Sequence, residues 1–245
     1  MEVTMNQYDD NFYGRERFQE QYGTETIGSY TAKTFLWMFL GLLITFGVAI
    51  WGYMSMTTIY LLVYVPYSQI VLLVAELAVV LFLSARIHRI SVPVARVLFF
   101  LYAALNGIVF SAYFLLFEVA SLVLVFAATA VYFGALAAYG YFTKTDLARL
   151  RPILIGGLIF LIAFGVLSLF IPGLDSMDRI ICLVGIAVFL GFTAYDTQKI
   201  RAYYQTFAGN PEMAQKASII SALELYLDFI NLFLYLLRFM GKRRN

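Results

Sequence analysis

Charge is what this sequence has least of. Asp, Glu, Lys and Arg make up 13% of its 245 residues, about half the share found in soluble domains. Hydrophobic residues reach 62% and the mean hydropathy is +0.82, so the chain is read as an integral membrane protein. A net charge of +2 excludes a bulk electrostatic role such as nucleic-acid binding. The single cysteine, Cys182, excludes an intramolecular disulfide and stands in an apolar run, where packing is its expected role. The single histidine, His88, sits between Arg86 and Arg89 and reads as a solvated flank rather than a metal ligand. HExxH, paired CxxC, P-loop and GxGxxG patterns are all missing, so the common cofactor signatures are silent and no cofactor is expected.

Apolar runs are what the chain has in abundance. After a polar, tyrosine-rich stretch assigned as a tail over 1–33, with no signal-peptide pattern, the runs predict spans at Thr34–Tyr53, Gln69–Ser84, Val94–Phe117, Leu122–Tyr141, Pro152–Ile171, Ile180 to about Tyr195, and Ser218–Met240. The stretch between Val97 and Phe142 holds one charge, Glu118, and is too long for one crossing. A tight turn at Phe117-Glu118-Val119 divides it. Small residues at Gly107 and Ser111, and glycines 156, 157 and 165, are candidate sites of close helix approach. About sixteen polar residues are expected as a loop after Asp196, ending at Asn210-Pro211, a cap followed by proline at a first helical position. All five lysines fall outside the predicted spans, which removes a retinal-type Schiff base. The predicted domain is therefore all-α, seven transmembrane helices over 34–240, with a short basic tail at 241–245. Placing the N-terminus in the cytoplasm puts twelve of the 17 Lys and Arg on that side, in line with the positive-inside rule. Only the basic C-terminus objects, and a re-entrant last segment would remove the objection.

Few charges stand inside the runs, so each is informative. Along Ser218–Arg238, Ser221, Glu224, Asp228, Asn231 and Tyr235 fall within roughly 80° of one helix face, while Ser218 and Arg238 extend that seam at its ends. The other fourteen residues are apolar or aromatic. Glu76 stands inside the second span, where a carboxylate costs on the order of 2.5–3.5 kcal/mol on insertion scales and calls for a partner or a packing hydrogen bond. Asp196 stands at or just inside the end of the sixth span. Consecutive antiparallel helices bring Asp196 and Asp228 into the same half of the membrane, with Asp228 several ångströms deeper by residue count. Two carboxylates in a poorly solvated site do not both ionise cheaply, and they titrate as a unit.

Such a pair can share a proton, bind a hard cation through oxygen, or activate water. The first two suit a pH-gated cation path with Glu224, Asn231 and Glu76 as further oxygens, since Ca²⁺ favours such ligands. The third suits an intramembrane aspartyl protease, which also carries aspartates on its sixth and seventh spans, the first in a Tyr-Asp pair like Tyr195-Asp196. That class has Gly-x-Gly-Asp at the second aspartate and a Pro-Ala-Leu segment. Here the second site reads LYLD, and no proline precedes Ala-Leu.

Three segments, AYGYFTKTDL at 138–147, GFTAYDTQKI at 191–200 and LYLDFINLFLYLLRFMG at 225–241, resemble the Bax inhibitor-1 (transmembrane Bax inhibitor motif-containing) family. The resemblance covers the chain after its N-terminal tail. It implies a seven-helix fold whose last helix is central and wrapped by the other six. It also implies a non-enzymatic, pH-sensitive calcium leak gated by two aspartates, which fall on Asp196 and Asp228 and serve as transient Ca²⁺ ligands. An acidic group on the second helix corresponds to Glu76, and Arg86 is the candidate for an arginine that latches the aspartates. The implied partners are the lipid bilayer, calcium ions and protons, with no nucleic acid. The family's link to stress regulation adds an alternative, a non-conducting regulator that binds a membrane protease or another membrane partner. With no retention signal or long regulatory tail, a bacterial plasma membrane is expected rather than endoplasmic reticulum.

Overall fold

A computed structural model of the chain describes residues 26–244 except 169, 172, 173 and 208. The polar stretch 1–25 and the predicted Pro172-Gly173 exit lie outside the described residues. Among the described residues, seven helices are long and apolar enough to cross a membrane. They are α1 (Ile27–Ser55), α2 (Ser68–Arg86), α3 (Val92–Ser111), α4 (Val119–Phe142), α5 (Arg151–Ser168), α6 (Asp178–Thr206) and α7 (Pro211–Met240). Polar caps start two of them. Thr26 Oγ1 accepts from Ser29 N at 3.2 Å ahead of α1, and Asn210 Oδ1 accepts from Met213 N at 3.0 Å ahead of α7, with Pro211 at the first position as expected. The α3–α4 turn falls at Phe117-Glu118, also as expected, after a short helical turn at Tyr113–Leu116.

Two boundaries differ from the hydropathy reading. First, α1 begins at Ile27, so residues assigned to the tail are helical. Second, the expected sixteen-residue loop after Asp196 is mostly helix, since α6 continues to Thr206 and α7 begins at Pro211. Polar residues on this extension bind neighbouring backbone rather than ending the helix. Gln198 accepts from Leu147 N at 2.9 Å and donates to Thr145 O at 2.8 Å, and Arg201 donates to Tyr141 O at 2.6 Å. Lys199 and Lys216, placed outside the spans by hydropathy, therefore lie within long helices. The connection between α1 and α2 holds a further helix, Thr57–Tyr64, bounded by left-handed residues at Met56 (φ 56°) and Tyr67 (φ 63°). Its exposed Tyr60 and Tyr64 stack at 5.0 Å, an aromatic pairing suited to a membrane interface.

Burial separates α7 from the rest. In its most apolar window 67% of residues are buried, against 11–44% in the other six helices. It packs chiefly against α6, α1, α4 and α3, while α2 rests on α3 and α5 rests on α6. Lipid chains are as apolar as leucine, so close packing and interhelical hydrogen bonds must hold such a bundle together. Tyr30 donates to Ala214 O at 2.8 Å and Thr34 meets Ser218 Oγ at 2.9 Å, both tying α1 to α7. Thr45 Oγ1 sits at a three-helix junction, 2.9 Å from Ala103 O of α3 and 2.7 Å from Tyr226 OH of α7. Gly107 permits the α1–α3 approach, because a Cβ there would stand 2.7 Å from Thr45 O. Of the three glycines expected to pack in α5, only Gly157 does so, against Val188 of α6; Gly156 and Gly165 face open space.

The C-terminus settles the path of α7. Lys242 O accepts from Glu118 N at 3.1 Å and Arg244 N donates to Leu116 O at 2.9 Å, while Arg244 Nη1 reaches Tyr53 OH at 3.2 Å. The tail is thus tied to the far end of α1 and to the α3–α4 turn, opposite the end where Tyr30 meets Ala214. The last helix traverses the bundle and is not re-entrant.

Candidate functional site

The polar seam of α7 turns mainly toward α6. Asp196 of α6 and Asp228 of α7 line one cavity and act on each other electrostatically, and both are buried, at 7% and 4% exposure. The depth mismatch expected from residue counting disappears, because α6 runs on as helix past Asp196 and brings the two antiparallel helices into register. One turn further along each helix the next pair meets, where Lys199 donates to Glu224 Oε1 at 2.6 Å. The same ammonium lies 3.9 Å from Asp196 Oδ1 and 5.2 Å from the centre of the Tyr203 ring.

These groups line a cavity of about 280 Å³ between α5, α6 and α7. Arg151, Ile155 and Leu158 come from α5, and Phe189, Phe192 and Tyr195 supply the aromatic wall on α6. Glu224, Asp228 and Asn231 come from α7. Asn231 Nδ2 donates to Leu227 O at 2.8 Å, which leaves its amide oxygen and one N–H to offer the cavity. Asp228 Oδ2 and Glu224 Oε2 are buried without a hydrogen-bond partner. Buried polar atoms are nearly always paired, so these two oxygens mark where a proton, a water or a cation would be accepted.

The ends of the seam have structural partners. Ser218 pairs with Thr34, as above. Tyr235 packs over Gly185, where a Cβ would come within 2.6 Å of its ring, and stacks on Phe189 at 5.8 Å. Arg238 forms an ion pair with Asp178 at the start of α6.

Glu76 and Arg86 are not brought to this site. Glu76 lies in a second cavity of about 330 Å³ between α2, α3 and the Thr57–Tyr64 helix, with its Oε1 buried and unpartnered. Its electrostatic neighbours are Tyr102, Tyr113 and Tyr226. No residue of α7 lines this second cavity, so it is separate from the one that holds Asp196 and Asp228. Arg86 is exposed at the end of α2 and makes no hydrogen bond or ion pair with either aspartate, because α2 packs on α3 and not on α6. The cation beside the pair is Lys199. Hydropathy hid it by ending the span at Asp196, although its spacing of three residues from Asp196 marks the same helix face. His88 is exposed, and Cys182 is a free, buried thiol on α6.

Comparison with known proteins gives the family. The family described as "Inhibitor of apoptosis-promoting Bax1" matches residues 28–245. An uncharacterized protein of Rickettsia prowazekii is 39% identical over 221 residues, covering 90% of this chain and 92% of that protein. Inner membrane protein YbhL of Escherichia coli is 39% identical over 217 residues, covering 88% and 92% respectively. An uncharacterized protein of Borreliella burgdorferi is 35% identical over 219 residues, covering 88% and 93%. The match runs through all seven helices, including those that carry Asp196 and Asp228, and the chain belongs to the Bax inhibitor-1 family of multi-pass membrane proteins.

Proposed function

We propose that this protein is a pH-sensitive calcium leak of a bacterial inner membrane, with its N-terminus in the cytoplasm. One observation carries the reading. The carboxylate of Asp228, 4% exposed, holds an unpartnered oxygen in a cavity it shares with Asp196 and Glu224. A buried carboxylate pair takes up a proton or a hard cation in preference to remaining doubly charged. Proton and Ca²⁺ therefore compete for the same oxygens, and Ca²⁺ binding weakens as pH falls.

In this reading Asp196 and Asp228 are sensor and gate, and transient Ca²⁺ ligands. Glu224 and Asn231 supply further oxygens on the same side of α7, and Glu76 supplies the acidic group of the separate cavity between α2 and α3. Arg86 keeps an interfacial anchoring role. Gating is a shift of α7 between two packings whose balance depends on protonation of the pair. The membrane assignment rests on the name of the Escherichia coli relative, an inner membrane protein, and the orientation rests on the distribution of Lys and Arg.

The test is calcium flux through purified protein in proteoliposomes. Flux above that of protein-free vesicles, varying with pH, is the expected result. No flux, together with a membrane protease or another membrane protein that co-purifies in defined stoichiometry, supports instead the regulator that acts by binding a partner. Cleavage of a fluorogenic peptide that is lost on substitution of either aspartate supports the protease.

A further inference from the structure

The lysine beside the aspartates does more than balance charge. Its ammonium donates to Glu224 at 2.6 Å and lies 3.9 Å from Asp196, so it stands among the oxygens that a divalent ion in this cavity would need. Three carboxylates, from Asp196, Glu224 and Asp228, and the amide of Asn231 line the space. Even so, no three Asp, Glu, His or Cys side chains among the described residues converge closely enough to hold a metal ion. Asp228 Oδ2 and Glu224 Oε2 remain buried and unpartnered in the same cavity, two acceptors more than Lys199 satisfies. An ammonium is a compact point charge on a flexible stem of four carbons, and it can swing toward the Tyr203 ring, whose centre is 5.2 Å away. Arg151, from the start of α5, adds a second positive group at the cavity and acts on Asp196 electrostatically.

We propose that Lys199 is a tethered cation that competes with a divalent ion for the carboxylates of Asp196, Glu224 and Asp228. Entry of Ca²⁺ then requires the Lys199–Glu224 ion pair to open. The inference rests on the proposed calcium leak and assigns its regulation to a residue on the ion's own site. A divalent ion takes the three carboxylates as its own ligands in place of the ammonium, and when it departs the ammonium returns. Lys199 thus sets how tightly the ion is held, and with it how readily the ion leaves, as conduction requires.

Two measurements test this. Tb³⁺ luminescence, with Ca²⁺ as competitor, is titrated on purified wild type, Lys199→Met and Lys199→Arg. Removing a competing unit charge at this distance is expected to tighten divalent binding at least about tenfold in Lys199→Met, while Lys199→Arg, which keeps the charge, stays close to wild type. Binding by Lys199→Met no tighter than wild type overturns the proposal and leaves Lys199 a structural ion pair. The second measurement uses wild type alone and does not depend on the variant folding. Amine acetylation is followed by mass spectrometry with and without Ca²⁺, using the exposed Lys144 as reference. Ca²⁺ is expected to speed modification of Lys199 relative to Lys144, and an unchanged ratio overturns the proposal.

Calcium flux on the same preparations separates this inference from the reading beneath it. Flux in wild type with equal affinity in Lys199→Met leaves the leak standing and removes the tethered cation. Tighter binding in Lys199→Met without flux in any variant leaves the tethered cation standing and removes the leak.

Discussion

The junction at Thr45 allows the packing account to be tested with two small substitutions. Thr45 Oγ1 lies 3.1 Å from Gly41 O, 2.9 Å from Ala103 O and 2.7 Å from Tyr226 OH. Its hydroxyl has one proton to give, which goes to a carbonyl, so Tyr226 donates to Thr45. Tyr226→Phe removes that donor and leaves Thr45 its carbonyl acceptors. The expected cost is about 0.6 kcal/mol and at most ~1.7, the range measured for interhelical hydrogen bonds in membranes. Thr45→Val is expected to cost more, about 1–3 kcal/mol, because it strands the hydroxyl of a tyrosine that is 0% exposed. In the double variant no hydroxyl is stranded, and the two carbonyls keep their helical hydrogen bonds. Its cost should therefore fall short of the sum of the single costs by at least ~0.5 kcal/mol. The assay is reversible unfolding in mixed micelles across the four proteins. Single costs that add to within ~0.3 kcal/mol, or a Tyr226→Phe that costs more than Thr45→Val, would refute the assignment of this junction.

Two further predictions concern helix packing and topology. Gly140→Val is expected to destabilise by about 1–3 kcal/mol in thermal unfolding, because a Cβ there would collide with the backbone carbonyl of Ala194; Gly156→Ala, with nothing near its Cβ, should be neutral within ~0.5 kcal/mol. In a background where the buried Cys182 is replaced by serine, a cysteine at Asn210 and one at Arg244 should label from opposite sides of the membrane. Labelling of both from one side would contradict a traversing α7.

The number of helices and their turns were legible from the apolar runs, because a bilayer fixes the length of a crossing whatever the tertiary packing. The caps at Asn210-Pro211 and the turn at Glu118 were legible for local reasons, since the residues that make them are contiguous. The seam of α7 was legible through its 3.6-residue period, and Asp196 and Asp228 as its charged partners through the antiparallel order of α6 and α7. What hydropathy could not show is helix that continues in polar sequence. The extension of α6 past Asp196 is held by Gln198 and Arg201 on backbone that comes from the α4–α5 connection and the last turn of α4. Those long-range bonds leave no local pattern, so Lys199 read as a loop residue. The distance of Arg86 from the aspartates has the same origin. It depends on α2 docking on α3 and not on α6, a tertiary choice between two similarly apolar helices. The basic C-terminus was the one objection to a seventh crossing, and its anchoring to the α3–α4 turn and Tyr53 is likewise a set of long-range contacts that a count of charges does not see.

The central claim is that Asp196 and Asp228 sense protons in a path for calcium, and one measurement addresses it most directly. Calcium flux into proteoliposomes is followed across pH for wild type, Asp196→Asn and Asp228→Asn, with reconstitution matched between samples. An amide occupies the space of a carboxyl but neither binds nor releases a proton in this range. The account predicts that wild-type flux varies with pH and that either substitution flattens that dependence, since each removes one half of a coupled pair. A pH dependence unchanged in both variants would contradict it.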